Sequence, residues 1–250
     1  MKLTVPAVIA AAALTLAGCA APGPPAAGRH GASPSTGMEF VWIPEMEMWV
    51  GKYEVTNEEY RRKVPGHDSG MQGDLPLNKD RQPVVRVSFE DAKKYAEWMT
   101  EQDKDHLPAG CRYRLPGEEE WERFARCGDG RKYPWGDSYP PRSGRAGNYA
   151  DEDFRSHQDL PSLFAISGYH DGHVVSAPVD ELWRNPWGLY GVGGNVWEAC
   201  ASDAGGESFG AWRGGSSGST GESILRCSYR SRMGGAHTGV DYGFRLVLGR

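Results

Sequence analysis

Apolar residues are unevenly distributed along this chain. A nearly unbroken apolar run from Leu3 to Ala17 follows Lys2 and ends in Leu16-Ala17-Gly18-Cys19. At about 15 residues it is shorter than the roughly 20 that a membrane-spanning helix needs, so residues 1–18 read as a cleaved export signal. The stretch from Ala20 to Gly37 is rich in Pro, Gly, Ala and Ser. It offers little to bury, so residues 19–37 are expected to be a flexible tether. From Met38 onward the pattern becomes that of a folded domain, residues 38–250. Phe40-Val-Trp-Ile-Pro44 and Trp49-Val-Gly-Lys-Tyr53 predict short strands. Thr56-Asn-Glu-Glu59 predicts a helix start with a capping box, and Ser88-Phe-Glu-Asp91 a second. After Ser88, the residues Phe89, Ala92, Tyr95, Ala96 and Met99 recur at helical spacing. Val84 to Val87 reads as a strand. A third helix is expected after Gly117, with Glu118, Glu119 and Glu120 in the first turn, where the helix dipole favours anions. From Gly128 to about Gly221 periodicity fades into Gly, Pro, Trp, Tyr and Asp, and a stretch that long inside a compact domain points to functional or ion-fixed loops. Gly243 to Leu248 reads as the last strand. The class is α+β with small antiparallel sheets.

Composition narrows the function classes. With 28 Lys+Arg against 33 Asp+Glu in 250 residues, the net charge is -5, and no basic face for nucleic acid is expected. The 34 Gly and 9 Trp describe a loop-rich domain pinned by indoles rather than a helical bundle. Of the 5 Cys, Cys19 stands apart. Cys111, Cys127, Cys200 and Cys227 would meet an oxidising compartment after export, where disulfides persist, and four cysteines allow three pairings. Gly214-Gly-Ser-Ser-Gly218 matches G-x-S-x-G, but the following Gly-Ser-Thr-Gly cannot start the helix a nucleophile elbow requires, so no catalytic serine is assigned. His170 and His173 lie in a glycine-containing loop without the spacing of a metal-binding helix.

Two resemblances add to this reading. Leu16-Ala-Gly-Cys19 resembles the bacterial lipoprotein signal, which implies lipid attachment at Cys19. The domain would then be held at a membrane by its anchor without crossing it. Ala20 is not the aspartate of inner-membrane retention, so the implied destination is the outer membrane or cell surface. The second resemblance rests on motifs that occur in order. They are Gly51-Lys-Tyr-Glu-Val-Thr-Asn57, Pro83-Val-Val-Arg-Val-Ser-Phe-Glu-Asp-Ala92, Tyr113-Arg-Leu-Pro116 with Glu120-Trp-Glu122, and Tyr133-Pro-Trp-Gly-Asp137. Asn185-Pro-Trp-Gly-Leu-Tyr190, Gly194-Asn-Val-Trp-Glu198, Trp212-Arg-Gly-Gly-Ser216 and Gly243-Phe-Arg245 follow. This series resembles the formylglycine-generating enzyme, or sulfatase-modifying factor, family from about residue 38 to 250. It implies that family's variety of the C-type-lectin-like fold.

The family holds copper oxidases, iron enzymes, envelope lipoproteins and retroelement-diversified surface receptors, so membership alone leaves function open. The oxidases carry two copper-binding cysteines shortly after Arg-Gly-Gly-Ser, where this chain has none before Cys227. Serine cannot replace a copper(I) thiolate. Copper is therefore not expected, and no catalytic residue is carried over. The implied first calcium site comprises Asn148, the Tyr149 carbonyl, Asp171 and the His173 carbonyl, all hard oxygen donors. A second would use the carbonyls of Gly194 and Val196 with Glu198, although Gly191 stands where the family has Asn or Asp. Residues 216–242 correspond to the diversified members' ligand-binding face. Adenine-targeted diversification yields a restricted residue set, which only Glu222 and Met233 here fall outside. The candidate contacts are Ser217, Ser219, Thr220, Ser223, Ser228, Ser231, Met233, His237, Thr238, Val240, Asp241 and Tyr242. The expected function is ligand binding, to a protein or other surface ligand, by a non-enzymatic surface lipoprotein. The alternatives are a structural envelope lipoprotein and an oxidase-like enzyme.

Overall fold

The computed structural model describes residue 25 and residues 29–141, 146–157, 164–202 and 209–250. The export signal and Cys19 lie outside the described residues. Among those described, no helix is long and apolar enough to cross a membrane.

Two sheets organise the domain. Five strands form the first: β1 (Gly31–Ala32), β2 (Glu39–Ile43), β3 (Met48–Gly51), a small outlying hairpin β4 (Met71–Gln72) and β5 (Leu75–Pro76) aside, then β6 (Arg112–Arg114) and the last strand of the chain. The second is built from β7 (Trp197–Ala201), β8 (Phe209–Arg213), β9 (Ser231–Gly234) and β10 (Tyr242–Gly243). With β11 (Val247–Gly249), the orders are β1-β2-β3-β11-β6 and β10-β7-β8-β9. All pairings are antiparallel except β10 with β7, which run parallel. The mixed α+β class and its small sheets are as the pattern predicts.

The predicted helices form where their caps stand. In α1 (Asn57–Arg61), Thr56 Oγ1 accepts from the Glu59 amide and Glu59 accepts from the Thr56 amide. In α2 (Phe89–Asp103), Ser88 and Asp91 make the same reciprocal pair. Each such cap stabilises its helix by about 1 kcal/mol. The apolar stripe Phe89, Ala92, Tyr95, Ala96 and Met99 is buried in a first core with Phe40, Trp49, Trp212 and Phe244. In α3 (Glu118–Ala125), Trp121, Phe124 and Ala125 enter a second core with Val50, Cys200, Cys227 and Val247. A fourth short helix, α4 (Glu152–Ser156), was not signalled by periodicity.

Four expectations are corrected. Residues 29–37 are not tether: β1 pairs with β2, and Ser33 and Ser35 bind the buried Asp103 carboxylate at 2.6 and 3.0 Å. Val84, Val85 and Val87 are buried and Arg86 is exposed, but the segment is not a strand. Its amides bond singly to different segments, Val84 to Val55 and Arg86 to Gly239, and Arg86 turns to φ 59°. Gly243–Leu248 is not one strand, because Phe244, Arg245 and Leu246 cross from the second sheet to the first. Finally, Cys111, Cys127, Cys200 and Cys227 are all free thiols. Cys200 and Cys227 serve as small core residues, and burial pushes the Cys200 thiol well up and Cys227 up to about 12.

Candidate functional site

The crossing from Gly243 to Val247 places a guanidinium between the sheets. Arg245 is fully buried and meets Glu198 of β7 at 2.7 Å, while also donating to the Gly51 and Tyr190 carbonyls. The same carboxylate accepts from Trp121 Nε1 at 2.8 Å. A second buried carboxylate, Glu54, accepts from Asn195 Nδ2 at 3.1 Å. Only Glu198 pairs directly with the arginine, and Glu54 feels its charge without a hydrogen bond to it. Burial pushes Glu54 up to about 8, against the pull of Arg245 and with the push of Glu198.

This arrangement decides the second expected calcium site. Glu198 is already neutralised by Arg245 and hydrogen-bonded by Trp121. A Cβ on Gly191, which sits at φ 61°, would stand 2.8 Å from Glu54 Oε2 and 2.9 Å from Leu182. Gly194, Val196 and Glu198 therefore belong to a buried ion-pair core, and the residues present do not fit a second cation.

The first site fits. Asn148 is buried, its Nδ2 donates to the Val175 carbonyl at 2.8 Å, and its Oδ1 has no partner. An orphaned buried acceptor is costly unless something donates or binds to it. Asp171 accepts from the Tyr149 amide at 2.9 Å and the His173 amide at 3.0 Å, which draws the named loop residues together. Burial, with the nearby Asp151 and Asp153 charges adding to it, pushes Asp171 up to about 7. A carboxylate with no cation partner among the described residues, bonded to the amide that follows an orphaned Asn148 oxygen, supplies the oxygen donors a hard cation takes. Next to it, Asp151, Asp153 and His170 bring ligand-type atoms within 4.8 Å of one another, but Asp151 is engaged in capping α4. Sequence spacing did not single out this trio.

Residues 216–242 are pinned at both ends. At one end Arg213 binds Glu122 at 2.9 Å and the Cys227 carbonyl at 2.7 Å. At the other stands Arg245. Within the segment the candidate contacts separate. Ser217 and Ser219 are 2% and 8% exposed, which corrects their assignment as surface contacts. The Ser217 amide donates to the Asn195 carbonyl at 3.0 Å, and Ser219 Oγ accepts from the Ser216 amide at 3.0 Å. They build the turn, not its surface. β8 precedes that turn and no helix follows it, so the G-x-S-x-G match lacks the elbow geometry. Ser223, Ser228 and Thr238 are exposed, while Thr220, Ser231, Met233, His237, Val240, Asp241 and Tyr242 are half-buried. Val240 packs against the small core of Leu77, Val85, Val175 and Val196.

Half-buried Tyr229 and Tyr242 join the buried Trp197 and Trp212 in one aromatic cluster. Tyr242 meets His237 edge-on at 4.6 Å and Trp212 at 4.9 Å, and lies nearly parallel to Trp197 at 6.5 Å. Tyr229 joins Trp197 at 6.0 Å. Trp197 is a buried core residue, and Tyr229 is half-buried against it. Their shared position follows from the parallel register that sets Tyr242 beside Trp197. A cavity of about 960 Å³ lies elsewhere, between α2, β6 and the start of α3.

Comparison with known proteins shows the family and the fold. The family profile of the sulfatase-modifying factor enzyme 1-like domain matches residues 19–249. A formylglycine-generating enzyme of Thermomonospora curvata is 34% identical over 68% of this chain and 46% of its own length. The inactive C-alpha-formylglycine-generating enzyme 2 of Bos taurus is 34% identical over 56% of this chain and 38% of its own. The chain thus spans less than half the length of these curated relatives. Two solved structures share the fold. PvdO from Pseudomonas aeruginosa has a TM-score of 0.64 at 20% identity, covering 90% of this chain and 100% of that one. Treponema denticola variable protein 1 has a TM-score of 0.60 at 18% identity, covering 80% and 84%.

Proposed function

The chain belongs to the sulfatase-modifying factor enzyme 1-like family, and from that premise we propose that it is a non-enzymatic, exported lipoprotein that binds a ligand through the face formed by residues 216–242. The observation that carries this reading is the segment itself. Its two ends are held by buried arginines, its interior offers no thiol between Ser216 and Arg226, and its surface presents Tyr229, Met233, His237 and Tyr242 half-exposed. Half-exposed aromatic and polar residues on a rigid support suit recognition. Ser217 and Ser219 shape the support.

Lipid attachment at Cys19 would tether this face at the outer membrane or cell surface through the short segment ending near Arg29. One calcium ion bound by Asn148, Asp171 and the Tyr149 and His173 carbonyls would fix the long loop beside it. Replacing Tyr229 and Met233 by Ala is the direct test. The reading expects loss of ligand with unchanged circular dichroism; an unaltered ligand profile would overturn it. Sequencing the codons for residues 216–242 across a population, with the flanking DNA, asks whether the face is diversified. Substitutions confined to that window beside an adenine-rich repeat are the expected sign, and a fixed window without a repeat removes diversification.

The curated relatives named as formylglycine-generating enzymes favour a second reading, an oxidase acting on cysteine. Copper-dependent oxidation of a Cys-x-Pro-x-Arg peptide by the purified chain would establish it.

A further inference from the structure

The face holds a carboxylate without a counter-ion. Asp241 stands in the turn that enters β10, and its side-chain hydrogen bond comes from Ser216 Oγ, 2.7 Å from Oδ2. Among the described residues no ion pair reaches it. Glycines stand next to both oxygens: a Cβ on Gly218 would lie 3.9 Å from Oδ2, and one on Gly239 would lie 3.5 Å from Oδ1 and 2.7 Å from the Tyr242 ring, which places that ring beside the carboxylate. Gly218 is itself exposed.

The nearby cations are engaged elsewhere. The Arg86 amide donates to the Gly239 carbonyl, but its guanidinium lies against Gly70 and donates to the Met71 carbonyl at 3.0 Å. Arg230 is held by Glu118 at 2.7 Å and Glu122 at 3.3 Å, and Arg232 reaches Glu118 at 4.0 Å. Strand register explains the separation: Arg232 lies opposite Ala211, whereas Ser231 lies opposite Trp212 on the aromatic side. Burial raises the Asp241 carboxyl, and His237 is the positively chargeable group that opposes this.

The rings complete the arrangement. Tyr242 follows Asp241 directly, with His237, Trp212, Trp197 and Tyr229 around it. The face of an aromatic ring attracts a cation through its quadrupole, most strongly where water is partly excluded. A carboxylate beside such rings selects for positive charge on a flat or alkyl body.

We propose that this face takes an ammonium or guanidinium group, with its charge on the Asp241 carboxylate and its body against Tyr242 and Tyr229. The inference rests on the ligand-binding reading of residues 216–242 and names the chemistry of what binds there. Such a cation is carried by a free amine or by a Lys or Arg on a partner's surface.

The test titrates the full chain with tetramethylammonium, N-acetyl-arginine methylamide and an arginine-containing peptide, following tryptophan fluorescence. N-acetyl-citrulline methylamide serves as the neutral isostere. Saturable binding of the cationic probes with none of the citrulline probe is expected. Asp241→Asn should weaken it at least tenfold and Tyr229→Ala at least threefold, each in a chain whose circular dichroism shows it folded. Should Asp241→Asn disturb the Ser216 turn, Gly218→Val covers Oδ2 from the exposed side and is expected to give the same loss. Saturation by the free probes identifies a small amine; a requirement for the surrounding peptide identifies a protein surface. Equal binding of citrulline and arginine probes, or titrations unchanged by both Asp241→Asn and Gly218→Val, overturns the proposal. An uncharged or acidic ligand that needs Tyr229 and Met233 but ignores Asp241 refutes the cation and leaves the binding face standing. If no ligand depends on Tyr229 or Met233, both readings fall.

Discussion

Glu54→Gln tests whether the buried centre of the fold is built on one ionised acid and one neutral one. Arg245 makes direct ion-pair contact with Glu198, at 2.7 Å, and Glu54 sits behind Asn195 with its carboxyl pushed up to about 8 from an ordinary 4.5. A group whose folded value is raised binds its proton more tightly in the native state than in the unfolded one. Its contribution to stability is fully present below pH ~4.5 and is lost as pH rises through about 8. The limiting slope for one proton is about 1.4 kcal/mol per pH unit, so wild type should lose up to about 5 kcal/mol across that window from this group. Glutamine keeps an acceptor for Asn195 and cannot ionise. Urea denaturation from pH 5 to 9 in reductant, wild type against Glu54→Gln, gives the difference directly. Other titrating groups, Asp171 included, cancel in the subtraction. The two proteins should be within about 1 kcal/mol at pH 5, with the variant the more stable by several kcal/mol at pH 9. Parallel curves would refute the reasoning. So would a variant weaker than wild type by about 3 kcal/mol at pH 9, because ionised Glu54 would then be acting as a second partner of Arg245.

Three further outcomes follow from the same geometry. Glu198→Gln leaves Arg245 buried without its paired anion and should cost about 3–5 kcal/mol in urea denaturation, in contrast to the Glu54 variant. Trp121→Phe keeps the ring in the second core but removes the 2.8 Å donor to Glu198, and should cost about 1.5–3 kcal/mol by the same assay. Calcium should raise the melting temperature of wild type and a chelator should reverse it, whereas Asn148→Ala should abolish the calcium response in differential scanning calorimetry; a melting temperature insensitive to both additions removes the calcium assignment.

What could be read from the sequence was local. Thr56 and Ser88 announce their helices because a cap and its partner lie three residues apart, and the structure places both boxes as expected. The failures share a cause. Val84, Val85 and Val87 are apolar because they are buried, but apolarity does not say whether a neighbouring strand is available to pair with them. β7 escaped notice because Trp197 to Cys200 is buried on both faces, which erases the alternation that marks a half-buried strand. The pairs that decide the site are remote in the chain, with Asn195 and Glu54 separated by 141 positions and Arg245 and Glu198 by 47. Family motifs supplied Asn148 and Asp171 as a set. They also supplied Gly194, Val196 and Glu198, and only the position of Arg245 shows that this second set is spoken for. Ser217 and Ser219 look like contacts because they are small and polar, yet the same properties let them close a buried turn.

The two arginines explain how a segment can lose one chemistry and hold another without loss of the fold. Arg213 ties the entry to residues 216–242 through Glu122 and the Cys227 carbonyl, and Arg245 ties the exit through Glu198, Gly51 and Tyr190. Neither anchor uses a side chain of the intervening surface. Ser216 and Ser219 close the turn among themselves, and Ala150 is bonded through the Ser219 carbonyl rather than its hydroxyl. The two anchors are therefore independent of what Tyr229, Met233, His237 and Tyr242 present to solvent, although Tyr229, Met233 and Tyr242 also pack against the first core. A scaffold held this way permits change at the surface with small effect on folding, because substitutions away from buried networks usually alter stability by within about 0.5 kcal/mol. Asp241 is the exception on that face, since its carboxylate both holds the Ser216 turn and lacks a cation. A side chain with both properties links the shape of the surface to the charge of what it binds, which makes it the position where support and recognition cannot be varied separately.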